Sequence, residues 1–253
     1  MGATVETSGS AVVFTLRWTD RRNALGPGEA RELADAVEEA SKDETASALI
    51  LTGEGALCAG GDLRAFADVS AKNTPAQIRT RVYGDVQRIV RNLRDAPMPT
   101  IAAVDGAAVG LGLDLALACD MRFVGEKGWV RQGWGNAGLI SATGGTWFLE
   151  QARRGLLWSL LADQPKIDAA GAVALGLADA GGPSALDSAL ERAEKLSALP
   201  REVLDAYAKL ARPESWPTDD YFETCADYQS EFIGSERFRT LAAKLLGDAE
   251  PAQ

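Results

Sequence analysis

The chain contains no histidine. Without imidazole there is no Ser-His-Asp or Cys-His relay, no histidine-ligated zinc, and no side chain that ordinarily titrates near neutral pH. Acid–base chemistry has to come from carboxylates, lysine, tyrosine, cysteine or backbone dipoles. Cysteine is scarce too. Cys58, Cys119 and Cys225 are the only three in 253 residues, and no CxxC pair is present. An odd, scattered set reads as reduced thiols of a cytoplasmic protein, not as a disulfide frame. Positive charge is in deficit, with 26 Lys plus Arg against 36 Asp plus Glu and a net charge of −10. That balance argues against nucleic acid or an anionic membrane as a partner. Long apolar runs are missing as well. The most membrane-like stretch, 101–119, includes Asp105 and Asp114, and each acid costs roughly 2.5–3.5 kcal/mol at a bilayer centre. The N-terminal residues alternate in polarity and carry no basic-then-apolar leader, which agrees with a cytoplasmic location.

What is present is ordinary globular composition, 46% hydrophobic and 25% charged, long enough for a substantial core. Alternating polarity predicts a hairpin from strands 5–7 and 11–16, joined by Ser8-Gly9-Ser10. Helical spacing predicts helices over 27–42 and 75–95, with Pro27 at a first-turn position. Short apolar runs predict buried strands at 46–51, 100–104 and 120–124, with 106–112 as a flexible turn leading into a helix at 113–119. Strands too apolar to face water, alternating with helices, argue for α/β layering. After about residue 145 the pattern turns helical: 147–162, 168–175, 184–198, 201–210 and 221–246, with no competing strand. Gly181-Gly182-Pro183 is the clearest break. We therefore divide the chain into an α/β core, 1–182, and a helical C-terminal region, 183–253.

Two glycine-bearing turns follow buried strands: Cys58-Ala59-Gly60-Gly61-Asp62-Leu63, and Asp105-Gly106 through Gly110-Leu111-Gly112-Leu113-Asp114. The second runs into a helix, so its N–H groups are suited to an oxyanion or phosphate. Neither matches a P-loop or a GxGxxG fingerprint.

In combination these turns resemble the crotonase (enoyl-CoA hydratase/isomerase) superfamily. Asp20-Arg21-Arg22-Asn23-Ala24-Leu25 is similar to its early coenzyme A segment. The two glycine turns are similar to its two oxyanion loops, the second closed by Ala118-Cys119-Asp120. Gly138-Leu139-Ile140 with Thr143-Gly144-Gly145-Thr146 is similar to the turn that follows, and Ala169 to Ala178 to a later step. The resemblance spans about residues 10–246. It implies a ClpP/crotonase-like spiral of ββα units, a C-terminal trimerisation region, and a homotrimer or dimer of trimers. It also implies an acyl-CoA thioester as substrate, with coenzyme A part of that substrate, no further cofactor and no metal, in fatty acid metabolism. Residue by residue, it places the carbonyl-gripping N–H groups at Gly61 and Leu111. It places substrate contacts at Arg22, Ala24, Ala59, Asp62, Leu63, Gly110 and Trp134. Arg17, Arg21, Arg22 and Arg64 are candidates for the coenzyme's phosphates. The Leu111 side chain, where the family prefers glycine, is expected to narrow the acyl pocket.

Two departures bear on chemistry. The family's hydratases use two glutamates. Asp114 stands at the first position, one methylene shorter, and Trp134 stands at the second. An indole N–H donates only and cannot move a proton in catalysis. Asp114 is therefore the one expected acid/base, with a first-turn helix acid as its alternative reading. Classical hydration is in doubt. Trp134 also resembles the aromatic of the family's aryl-CoA dehalogenases, but Ala142, where that branch has its aspartate, and the lack of histidine argue against dehalogenation. Asp68, Gln132, Asn136, Ser141 and Thr143 are neighbouring polar candidates. The expected function is a thioester-enolate-stabilising enzyme of the hydratase/isomerase group. The alternatives are a one-carboxylate isomerase, decarboxylase or thioester hydrolase, and a non-catalytic acyl-CoA binder or carrier.

Overall fold

A computed structural model describes residues 2–212 and 218–247. The predicted hairpin is present: β1 (Ala3–Ser8) pairs antiparallel with β2 (Ala11–Leu16). From β2 onward the chain repeats one unit. A strand enters the main sheet, a shorter extended piece turns across its end, and a helix returns. In the first turn these are β2, a bridge at Leu25, and α1 (Pro27–Ala40). In the second they are β3 (Ala48–Gly53), residues 58–61, and α2 (Leu63–Lys72). After α2, the expected 75–95 helix is α3 (Pro75–Ile78) and α4 (Gly84–Asp95), joined by a π-helical segment, Arg79–Tyr83. Ile78, Val82, Val86, Ile89, Val90 and Leu93, at helical spacing along it, are all buried.

The third turn is β4 (Thr100–Val104), β5 (Ala107–Val109) and α5 (Leu111–Ala118). The fourth is β6 (Met121–Val124), β7 (Trp129–Arg131) and α6 (Gly145–Ala152). The expected flexible turn at 106–112 is thus partly a strand. β5 pairs parallel with β7, so its polar backbone is satisfied by a neighbour remote in sequence.

The main sheet runs β1-β2-β3-β4-β6-β9, and the small one β5-β7-β8. β8 (Ile167–Asp168) and β9 (Asp179–Ala180) are two-residue strands in the region read as wholly helical. They are too short for a periodic signal. Two predicted long helices are split. Gly155, with φ +80°, separates α6 from α7 (Leu156–Asp163). Ser235 ends α11 (Asp219–Gly234) and caps α12 (Glu236–Leu246) by accepting the Phe238 N–H. Between these pairs lie α8 (Ala169–Ala174), α9 (Ala185–Leu196) and α10 (Arg201–Ala211).

Both faces of the central strands β2, β3 and β4 are buried, which is why they read as unbroken apolar runs. Leu49, Leu51, Ala102 and Val104 face the large core beneath the helices. Ala48, Ile50, Ile101 and Ala103 face a second core closed by Ala185, Ala189 and Ala193 of α9. Helix α9, from the region beyond residue 182, thus covers the sheet itself. The Asp105 carboxylate accepts the N–H groups of Ala185 and Leu186 at 2.6 and 3.1 Å and anchors the start of that helix. α11 is tied in by Gln87, whose amide donates to the Ala142 and Phe222 carbonyls, both at 2.9 Å. Residues 213–217 and 248–253 of the C-terminal region lie outside the described residues.

Candidate active site

The two glycine turns meet. Cys58 N–H donates to Ala107 O at 3.1 Å and Val109 N–H donates to Cys58 O at 3.0 Å, so the loops are zipped along the edge of the small sheet. Gly112 lets the start of α5 press on the first loop, since a Cβ there would lie 2.1 Å from Cys58 O. Gly110 turns the chain into α5 with φ +53° and ψ −112°, a conformation open to glycine and strained for other residues. Among the described residues, the N–H groups of Gly61 and Leu111 have no hydrogen-bond acceptor. The first precedes a capped helix start on a half-buried residue, and the second opens α5 on a fully buried one, so both are helix-start donors without an intrahelical partner.

Behind them Asp114 is buried, 3% exposed. Its Oδ2 accepts three hydrogen bonds: from Thr143 Oγ1 at 2.6 Å, Ser141 Oγ at 2.7 Å and Trp134 Nε1 at 2.9 Å. Gly145 packs on Oδ1, where a Cβ would come within 1.9 Å. Burial pushes the Asp114 carboxyl up to about 6, and the hydroxyl and indole donors oppose that rise. Cys58 is no nucleophile here, because burial pushes its thiol up to about 12.

A cavity of about 200 Å³ opens between the loops. Of the expected site residues, Gly61, Ala59, Leu63, Gly110 and Trp134 line it. Asp114 does not, since the Trp134 ring forms the wall in front of it. Leu111 is fully buried in the large core, so its side chain does not narrow the cavity as expected. The small sheet turns that side chain inward and leaves the backbone N–H at the helix start. Asp62 caps α2, accepting the Arg64 and Ala65 N–H groups. Arg22 is exposed and Ala24 half-buried, both outside the cavity wall. They are joined to it through backbone bonds, Ala59 N–H to Arg22 O and Leu25 N–H to Gly60 O, both 2.9 Å.

The expected arginine cluster is partly neutralised. Arg21 lies within 3.8 Å of Asp20, 3.2 Å of Glu29 and 3.4 Å of Asp62, and Arg17 pairs with Glu6 and Glu54. Of the polar candidates, Ser141 and Thr143 hold Asp114 and Asn136 lines the cavity. Gln132 accepts the Gly135 N–H, and exposed Asp68 pairs with Lys72 on the surface of α2. Cavity residues that the sequence did not single out include Arg131, Phe66, Val109 and Leu245. Arg131 carries a legible signal, a charge inside a motif, and Leu245 carries none. Among the described residues there is no cluster of three metal-ligating side chains and no helix long and apolar enough to cross a membrane.

The loops, the buried carboxylate and the spiral can be set beside known proteins. The enoyl-CoA hydratase/isomerase family model matches residues 6–240. The chain belongs to that family. It is 35% identical over 213 residues to "Probable enoyl-CoA hydratase EchA14" of Mycobacterium tuberculosis, covering 81% of this chain and 79% of that one. It is 29% identical over 190 residues to the 1,2-epoxyphenylacetyl-CoA isomerase of Escherichia coli, covering 66% of this chain and 72% of that one. The solved enoyl-CoA hydratase/isomerase of Mycobacterium paratuberculosis superposes with a TM-score of 0.86 at 26% identity, over 96% of this chain and 97% of that chain. The enoyl-CoA hydratase of Bacillus halodurans reaches 0.89 at 17% identity, over 96% of this chain and all of that chain, and speaks to the fold alone. The crotonase-type α/β spiral expected from sequence is the fold of this family member.

Proposed function

We propose that the protein binds an acyl-CoA thioester with its carbonyl oxygen on the Gly61 and Leu111 N–H groups, and that it moves a proton next to that carbonyl. The observation that carries this reading is a pair of unpartnered backbone donors, Gly61 in the cavity wall and Leu111 next to the wall residue Gly110, on loops locked to each other by the Cys58–Ala107 and Val109–Cys58 hydrogen bonds. Such donors stabilise the negative charge that reaches the thioester oxygen when a proton leaves the α-carbon. Asp114 is the group that takes the proton, through Oδ1, the oxygen without a described hydrogen bond. A carboxyl held near 6 can accept and return a proton near neutral pH. The same proton delivered to another carbon completes an isomerisation. Hydration would need a second group to activate water, and Trp134 cannot serve.

One observation favours a second reading: Asp114 lines no part of the cavity, and its indole partner must move for it to reach a substrate. On that reading the protein is an acyl-CoA binder without turnover. Mixing it with 2-enoyl- and 3-enoyl-CoAs and following absorbance and mass separates the two. The enzyme reading expects an isomer of unchanged mass, lost by 10²-fold or more in Asp114→Asn, roughly the size of a positioned acid–base effect. Turnover unaltered by Asp114→Asn would remove the role given to Asp114, and binding without product would establish the binder. The reading includes assembly as a trimer or dimer of trimers, in keeping with the exposed Trp158 and Leu210. Light scattering measures it.

A further inference from the structure

Among the described residues that line the cavity, Arg131 is the only ionisable one. Its Nε is buried and has no hydrogen-bond partner, and no carboxylate among the described residues lies within ion-pair reach of its guanidinium. Arg21, Arg88 and Arg201 all sit against acids. The guanidinium lies instead 5.8 Å over the Trp129 ring, and Lys166 Nζ lies 4.6 Å over the same ring, adding a second positive charge. The nearest acid in register, Asp168 opposite Trp129, spends its Oδ1 on the Gly171 N–H at the start of α8. A cation in a mostly apolar wall without a counter-charge is a poor arrangement for an empty protein and a good one for an anionic ligand.

The sheet order says which end of a ligand it meets. Arg22 and Ala24, the coenzyme segment, are tied to the first loop. That loop bridges to β5 through Cys58 and Ala108, and β5 pairs with β7 at Val109 and Arg131. Arg131 therefore stands two strand positions, about 10 Å, across from the first loop, on the wall shared with Trp134, with the coenzyme segment on the far side of that loop.

Resting on the acyl-CoA reading above, we infer that Arg131 selects acyl-CoA substrates whose acyl group carries a carboxylate. The planar guanidinium grips that carboxylate with paired N–H bonds while the thioester carbonyl lies on Gly61 and Leu111.

Calorimetry with glutaryl-CoA, butyryl-CoA and free coenzyme A tests this on the full chain. Glutaryl-CoA is expected to bind at least about 10-fold more tightly than butyryl-CoA, the size of a charge-assisted hydrogen bond. That ratio should fall to about one in Arg131→Gln and to an intermediate value in Arg131→Lys, which keeps the charge and loses the fork. Equal affinities for the two acyl-CoAs in the unmodified protein would overturn the inference and leave the acyl-CoA reading standing. So would a loss in Arg131→Gln that is shared equally by free coenzyme A, which would assign Arg131 to the phosphates. Failure of all three ligands to bind would overturn the acyl-CoA reading and the inference with it.

Discussion

Two aspartates bracket helix α5, and they behave in opposite ways. Asp114 lies in its first turn and Asp120 just beyond its end. The helix dipole alone would favour a charge on Asp114 and disfavour one on Asp120, by about 0.3–1 kcal/mol each. The reverse holds. Burial lifts the Asp114 carboxyl to about 6 against three neutral donors. Asp120 is also penalised by burial, yet its carboxyl falls below the usual range because Arg212, with the Thr100 hydrogen bonds, outweighs that penalty. Arg212 holds both oxygens, at 3.0 and 2.8 Å, while Thr100 gives two more hydrogen bonds and Arg94 stands 3.9 Å away. A cation in contact decides the charge of a buried acid, and helix position is a correction. One aspartate is thereby held as an anion that clamps the fold, and the other keeps a raised carboxyl behind Trp134.

The largest expected effect comes from breaking the clamp. Asp120→Ala leaves Arg212 and Arg94 facing each other in a largely buried site. Urea unfolding should show a loss of about 3–5 kcal/mol. A loss below 1 kcal/mol would mean that the cluster is solvated and the contrast with Asp114 is overstated.

Next is the pH dependence. The Asp114 carboxyl rises from 3.8 unfolded to about 6 folded. The folded state therefore holds the extra proton between those values, and stability falls as pH rises from about 4 to 6. The difference amounts to about 3 kcal/mol, at 1.36 kcal/mol per unit. Asp120 has the opposite sign: its contribution is present above the ordinary carboxylate range and is lost as pH falls through its lowered value. Unfolding free energies of the protein and of Asp114→Asn, measured from pH 4 to 7, should diverge by that amount, the variant gaining relative stability at the higher pH. Parallel curves would contradict the assignment.

The smallest effect is tuning. Thr143→Val removes the 2.6 Å donor to Asp114, a group that holds the carboxyl down. The carboxyl should rise by about one unit, the worth of one such hydrogen bond, as read by the carbon-13 shift of labelled aspartate. A fall would show that Thr143 supports the protonated form.

Much of this was legible in the sequence. The parallel strands declared themselves because both faces are buried, and the two glycine turns because their spacing recurs in a known family. The three- and two-residue strands β5, β7, β8 and β9 were not legible, since pairing across sequence-distant edges, and not local pattern, defines them. The partnership of Trp134 with Asp114 was hidden for a similar reason. Each residue was placed at the site, the indole as a packing surface and the carboxylate as a base, but their 2.9 Å contact depends on how β7 and α5 are set in space. Leu111 illustrates the converse. Its place at the start of α5 followed from the motif, while the direction of its side chain, into the core, depended on the turn at Gly110.

On the proposed function, a thioester oxygen belongs between the Gly61 and Leu111 N–H groups. A crystal structure of the protein soaked with butyryl-CoA measures this directly. The thioester oxygen is expected at about 2.7–3.1 Å from both nitrogens, with the acyl chain against Trp134. A bound acyl-CoA whose carbonyl lies away from both N–H groups would contradict it.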